Sequence, residues 1–179
     1  MRVISGILKG RSIRVPSSFS GRPTTDFARE GLFNVLNNLA EFENASVLDL
    51  FSGTGAFSIE CFSRGASKLT CVESNTAHAK AIRENFLNFA ITGGKVLRQD
   101  AFRFLKQPAA ETHDIIFADP PYDLPGIEKI PGMIFNGDFL SPDGIFILEH
   151  SKRQEFSDQP NFLQERKYSN VHFSFFRAS

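Results

Sequence analysis

Residues 47–56 read VLDLFSGTGA: an apolar run with one acid inside it breaks on Ser-Gly-Thr-Gly and resumes as Ala56, Phe57 and Ile59. A buried strand that ends on glycines before a helix opens a βαβ unit, and glycine there lets the backbone turn sharply and approach a ligand closely. A dinucleotide fingerprint has a third glycine where Ser58 stands, and no acid four residues ahead of its first glycine, where Asp49 stands. Asp49 therefore points away from a nicotinamide-dependent oxidoreductase. Its carboxylate repels pyrophosphate and suits a nucleoside carrying an ammonium and a sulfonium, such as S-adenosylmethionine.

Short apolar runs alternate with helical stretches from this point on, the pattern of a parallel sheet covered on both faces. Strands are predicted over 47–51, 69–73, 95–98, 115–118 and 145–149. Between the second and third, Ile82, Phe86 and Phe89 form a helical stripe opposite Lys80, Arg83, Glu84 and Asn88. Two further strands, 162–168 and 171–176, flank a tight turn at Ser169 and Asn170, so an antiparallel hairpin closes a sheet of about seven strands. Upstream, 3–8 and 11–15 are β-rich runs separated by Lys9 and Gly10, which predicts a hairpin. A helix follows, with Thr24 or Thr25 as N-cap, Asp26 in its first turn and an apolar stripe of Leu32, Phe33, Leu36 and Leu39 ending near Glu41.

The chain of 179 residues is sized for a single domain, and its longest apolar runs, 115–118 and 145–148, fall far short of the ~20 residues a membrane helix needs. With no apolar leader segment either, a cytoplasmic address is expected. Cys61 and Cys71 have no companion at zinc spacing and read as buried reduced thiols. The four histidines, His78, His113, His150 and His172, show no ligand or triad spacing, so no metal is expected. A net charge of zero hides an asymmetry: Arg2, Lys9, Arg11, Arg14 and Arg22 precede the first acid, Asp26. Residues 1–23 thus read as a basic arm on a core of residues 24–179, and such an arm attracts phosphate whatever the total charge. Five contacts to single-stranded phosphate would give a log–log salt slope of about −3.5.

Acids recur at the ends of strands. Glu73 ends the second predicted strand, where a carboxylate can accept from ribose hydroxyls. Asp100 follows the third, placed to accept from an adenine amino group with the Ala101 amide beside it, or simply to cap a helix. The fourth ends in Asp119-Pro120-Pro121-Tyr122. Two prolines fix φ and remove two backbone donors, leaving a stiff segment that accepts hydrogen bonds. If the Asp119 carboxylate and the Pro120 carbonyl each accept one N–H of a nucleobase amine, the nitrogen can pyramidalise and aim its lone pair at a methyl donor, with Tyr122 stacked on the base. Guanine N2, adenine N6 and cytosine N4 all offer such an amine. A base inside a duplex cannot reach the site, so the target is single-stranded, looped or flipped out.

Nearly the whole chain resembles the bacterial 16S ribosomal RNA guanine-N2 methyltransferases, the enzymes named for guanine 966 of the small subunit. The resemblance is carried by residues 1–10 (MRVISGILKG), 22–34 (RPTTDFAREGLFN), 47–56 (VLDLFSGTGA), 63–66 (SRGA) and 119–122 (DPPY). RPTTD discriminates, since DPPY is shared with many amino methyltransferases. The resemblance implies an α/β class I, Rossmann-like fold with a seven-stranded, mostly parallel sheet, an antiparallel last strand, helices on both faces and an N-terminal β-hairpin. It implies S-adenosylmethionine as cofactor and 16S rRNA, in the small subunit or an assembly intermediate, as partner of a monomer. Phe51, Gly53 and Gly55 would line the methionine end of the cofactor, Glu73 its ribose, Asp100 and Ala101 its adenine, and Asp119 to Tyr122 the target base. The helix opening at Thr25 would close over the cofactor. Asn75 stands where an acid is usual, and Ser169-Asn170 replaces a glycine-containing turn. Rival readings are a DNA adenine-N6 methyltransferase, a release-factor glutamine methyltransferase, disfavoured because Asp119 stands at the first motif position where that group has Asn, and a non-catalytic RNA-binding assembly factor, for which a degraded DPPY or glycine turn would be expected.

Overall fold

A computed structural model describes residues 1–17, 19 and 25–178. In chain order it contains α1 (Asp26–Leu39), β1 (Ser46–Leu50), α2 (Ala56–Ser63), β2 (Lys68–Val72), α3 (Thr76–Asn88), β3 (Gly94–Leu97), α4 (Ala101–Leu105) and β4 (His113–Ala118). A 3₁₀ turn (Ile127–Lys129), α5 (Ile130–Asn136), β5 (Leu140–Ser151), β6 (Phe162–Tyr168) and β7 (Val171–Arg177) follow. The seven strands form one sheet in the order β3-β2-β1-β4-β5-β7-β6. β1 to β5 pair in parallel, and β7 runs antiparallel to both its neighbours. The winding reverses between β1 and β4, and ligands of open α/β sheets bind outside the carboxyl ends of the strands at such a reversal. In this chain the Asp49 strand and the Asp119 strand meet there, with Leu50 in register with Ala118.

Alternate residues of each strand feed two cores, which is why the apolar runs are continuous. Val47, Ile115, Ile145 and Phe173 pack on the face that also holds Leu32 and Phe33 of α1, Ile59 of α2 and Ile82 of α3. Leu48, Ile116, Phe146 and Phe176 pack on the other with Leu105 of α4 and Ile134 of α5. Thr25 caps α1, its side chain accepting from the Ala28 amide. β5 begins earlier than predicted, at Leu140, and carries Ser141-Pro142-Asp143-Gly144 through an irregularity opposite His113–Ile115.

The two runs of the predicted N-terminal hairpin do pair, but briefly: the Val3 amide donates to the Arg11 carbonyl and the Ile13 amide to the Met1 carbonyl, both at 3.0 Å. Residues 1–15 contain a single antiparallel bridge, Arg2 to Ser12, and the stretch from Ser5 to Gly10 is bend and turn. Between these pairings, four backbone donors go to α2 instead. The Ile4 and Ser5 amides donate to the carboxylate of Glu60, Ile7 to the Ser63 carbonyl and Leu8 to the Ser63 hydroxyl. Gly6, at φ +79°, lies so close to α2 that a Cβ would sit 1.7 Å from the Ser63 carbonyl oxygen. Val3, Leu8 and Ile13 complete the attachment by entering the first core.

Candidate active site

The loop after β1 is folded by left-handed residues: Phe51 at φ +57°, Gly53 at +54° and Gly55 at +72°. For Phe51, which meets Phe102 edge-on, that conformation costs on the order of 1–3 kcal/mol. The loop is crowded as well as bent. A Cβ on Gly53 would stand 3.2 Å from Phe19 and one on Gly55 3.1 Å from Ile82. Asp49, in the strand before this loop, is buried, and its carboxylate accepts from the Ser58 hydroxyl at 2.9 Å. Ser58, the residue that spoils a dinucleotide fingerprint, thus has a role of its own. Loss of solvent pushes the Asp49 carboxyl up to about 7, against a smaller lowering by Ser58.

Glu73 is buried just past β2, and backbone amides fix both its oxygens: Gly53 donates to Oε2 at 2.8 Å and Asn75 to Oε1 at 2.7 Å. Each carboxylate oxygen has a second lone pair, so acceptor capacity remains. Beside it, Nδ1 of His78 lies 3.9 Å from Glu73, while Nε2 is buried with no hydrogen-bond partner among the described residues. Phe19 packs against His78 with ring centroids 5.2 Å apart. Asn75, at the position where an acid was expected, caps α3 by accepting from the Ala77 and His78 amides, which explains its tolerance. Asp100 caps α4 with Oδ1, accepting from Arg103, and leaves the Ala101 amide as a first-turn donor.

Asp119 is half-buried at the end of β4, Pro120 is buried and Pro121 exposed. Burial raises the Asp119 carboxyl well above the ordinary range, and the charges of Glu149 and Asp49 raise it further. Glu149, buried near the end of the neighbouring β5, accepts from the Tyr122 hydroxyl at 3.1 Å. Gln154 donates to the Tyr122 carbonyl at 3.0 Å. Sequence reading missed Glu149 and Gln154, which hold Tyr122, as well as Phe19 and His78. Glu149 alone had a visible signal, an acid closing an apolar strand.

Of the basic arm, Arg2, Lys9, Arg11 and Arg14 are exposed; Arg22 lies outside the described residues. Arg14 pairs with Glu84 at 2.9 Å and the Arg11 guanidinium sits 4.9 Å above the Phe89 ring. Arg11, Arg14 and Phe89 line a surface groove together with Asn85 and Asn88.

A seven-stranded sheet in this order, with carboxylates and a glycine turn gathered at its point of reversal, defines a Rossmann-like, S-adenosylmethionine-dependent methyltransferase. The chain belongs to the family described as conserved hypothetical protein 95, whose sequence pattern it matches over residues 1–177, and is related to ribosomal RNA small subunit methyltransferase D. It is 32% identical over 149 residues to that protein of Escherichia coli strain K12, covering 83% of this chain and 74% of the relative. It is 34% identical over 161 residues to the putative rRNA methyltransferase YlbH of Bacillus subtilis, covering 88% and 86%. A solved structure described as the putative methyltransferase yhhF from Escherichia coli superimposes with a TM-score of 0.87 at 28% identity, covering 99% of this chain and 97% of that one. No helix among the described residues is long and apolar enough to cross a membrane.

The cofactor fits the residues present. Asp49 offers a buried carboxylate, the loop glycines admit no side chain without displacing a neighbour, and a buried His78 nitrogen lacks a hydrogen-bond partner among the described residues. A pH dependence follows. In the free folded chain Asp49 holds its proton up to about 7 against an ordinary 3.8, so its contribution to stability falls as pH rises through that window. If a ligand ammonium lies against Asp49, as the sequence leads one to expect, it favours the ionised form, and binding below pH 7 would expel the proton. Affinity for S-adenosylhomocysteine is expected to be about tenfold tighter at pH 8 than at pH 6. Calorimetry in buffers of different ionisation enthalpy checks this; equal affinity with no proton release contradicts it.

Proposed function

We propose that this chain methylates the 2-amino group of guanine 966 in 16S ribosomal RNA, with S-adenosylmethionine as donor. The observation that carries the amine chemistry is the Asp119-Pro120-Pro121 elbow beside the glycine turn of β1, at the sheet's reversal; its prolines have no N–H and its Asp119 amide donates to the Leu50 carbonyl. The choice of guanine and of the small subunit is supported by RPTTD and by relatives named for small-subunit rRNA.

Asp49 would hold the cofactor's ammonium, Phe51, Gly53 and Gly55 its methionine end, Glu73 its ribose, Asp100 Oδ2 and the Ala101 amide its adenine, with α1 closing from Thr25. When bound, this cofactor supplies an electrophilic methyl group on sulfur. Asp119 and the Pro120 carbonyl accept the two N–H bonds of the amine, so that its lone pair turns out of the ring plane. Tyr122, held by Glu149 and Gln154, stacks on the base. Glu149 is a positioning residue. Holding the reactants in line can supply on the order of 7–11 kcal/mol of the barrier. Arg2, Lys9, Arg11, Arg14 and Arg22 would grip phosphate, and the residues 1–23 act as an RNA-binding arm on the catalytic core of residues 24–179.

Purified small subunits from cells lacking this protein should accept labelled methyl groups when it and the donor are added, and nucleoside mass spectrometry should find N2-methylguanosine. Methylation of naked duplex DNA instead would favour the adenine-N6 reading. Binding to subunits without methyl transfer would favour a non-catalytic assembly factor.

A further inference from the structure

We propose that His150, Glu165 and His172, brought together by β5, β6 and β7, form a site for one divalent transition-metal cation of the zinc type. Sequence spacing hid it, because the three ligands come from three strands. His150 stands directly opposite His172 in the β5–β7 register, and Glu165 lies diagonally beside His172, two residues from its β6 partner Lys167. Antiparallel neighbours on one face of a sheet are within reach of one another. Here their ligand atoms all lie within 4.8 Å. Glu165 Oε1 is 3.0 Å from His172 Nδ1 and 3.7 Å from His150 Nε2. With bonds of about 2.0–2.2 Å, two ligands of a tetrahedral zinc ion stand about 3.3 Å apart. The observed spacings bracket that value.

The protonation pattern suits a cation. Nδ1 of His150 lies 2.9 Å from the Ser151 carbonyl oxygen, which can only accept, so Nδ1 carries the proton and Nε2 presents its lone pair to the cluster. A ring N–H held by a backbone carbonyl is the usual outer support of a metal-binding histidine. His150 is fully buried and packs edge-on against Phe156 at 4.7 Å, surroundings that favour the neutral imidazole a metal requires. In the metal-free chain the Ser174 hydroxyl donates to His150 Nε2 at 2.8 Å; an ion would take over that lone pair, and the hydroxyl oxygen or a water would supply the fourth ligand. Lys167 engages the other carboxylate oxygen, Oε2, at 3.1 Å and leaves Oε1 facing the imidazoles. His172 now donates Nδ1–H to Glu165; it stays neutral on binding by carrying its proton on Nε2. Two imidazoles and one carboxylate select zinc, cobalt or nickel over magnesium or calcium. Such an ion would clip the final hairpin to β5. From there Ser151 reaches Gln154, and Gln154 the Tyr122 carbonyl.

Titration of the untagged full chain with cobalt(II) tests this. One equivalent should bind with the visible absorption of a tetrahedral site, compete with zinc but not magnesium, and raise the melting temperature by about 5 °C at a hundredfold excess over Kd. Glu165→Gln and His172→Ala should each weaken binding at least tenfold, whereas His113→Ala should not. Glu165 is partly exposed, so Glu165→Gln decides the matter if His172→Ala does not fold. Absence of saturable binding up to about 100 times a micromolar Kd, or equal affinity in Glu165→Gln, means the cluster is a hydrogen-bond network only and overturns the proposal.

Discussion

Asp119→Ala is expected to lower single-turnover methylation of small subunits by about 10³-fold, while the affinity for S-adenosylhomocysteine at pH 7 changes by less than about threefold. The asymmetry follows from what Asp119 touches. Its carboxylate ends β4 across from the β1 turn, and in the proposed mechanism it meets the amine and not the cofactor. Loss of an acceptor that works only as the nitrogen pyramidalises removes transition-state stabilisation and little ground-state binding. Asp119→Asn separates two ideas. The amide oxygen still accepts one N–H but the charge is gone, so an intermediate loss is expected. Turnover retained in Asp119→Ala removes this residue from the mechanism.

Glu60→Gln is expected to destabilise the chain by about 3–5 kcal/mol, lowering the melting temperature by roughly 10 °C. The carboxylate is fully buried on α2 and has four donors: the Ile4 and Ser5 amides at 2.7 and 3.0 Å, and Nε and a terminal nitrogen of Arg64 at 3.0 and 2.9 Å. Arg64 is itself nearly buried, its guanidinium 4.6 Å from the Phe33 ring. A glutamine turns its NH₂ toward one set of these donors and leaves the Arg64 charge unpaired, the costly way to break a buried ion pair. Thermal unfolding followed by circular dichroism checks the stability. An unchanged midpoint would show that Glu60 adds nothing to the hold of Val3, Leu8, Ile13 and the Ser63 hydrogen bonds. Loosening of the arm should also weaken RNA binding, because Arg2, Lys9 and Arg11 ride on it.

The sheet was legible because its signal is local. Strand runs such as 47–51 and 115–118 are apolar whichever face they serve, and each was placed to within a residue or two of β1 and β4. Thr25 and Ser169-Asn170 were legible through cap and turn chemistry, Ser169 taking φ +58°. The arm misled for a long-range reason. Nothing near Val3 or Ile7 announces that their neighbours' amides will be captured by Glu60 and Ser63, more than fifty residues away. Carboxylates at strand ends could be listed from sequence, and the structure brings Glu73 and Asp119 within electrostatic reach of Asp49 at one end of the sheet. Their supports could not, because Ser58, Glu149 and Gln154 act across elements. The same limit hid the histidine pair of β5 and β7, which only pairing register brings face to face.

The central claim is spatial: a methyl group on sulfur must face the Asp119–Tyr122 elbow. A crystal structure of this chain with S-adenosylhomocysteine and guanosine tests it directly. The account predicts the sulfur on the Asp119 side of the Gly53 turn, with the guanine amine held by Asp119 and the Pro120 carbonyl and its nitrogen about 3–3.5 Å from where the methyl carbon would stand. A sulfur pointing away from Asp119, or an amine bound elsewhere, would contradict it.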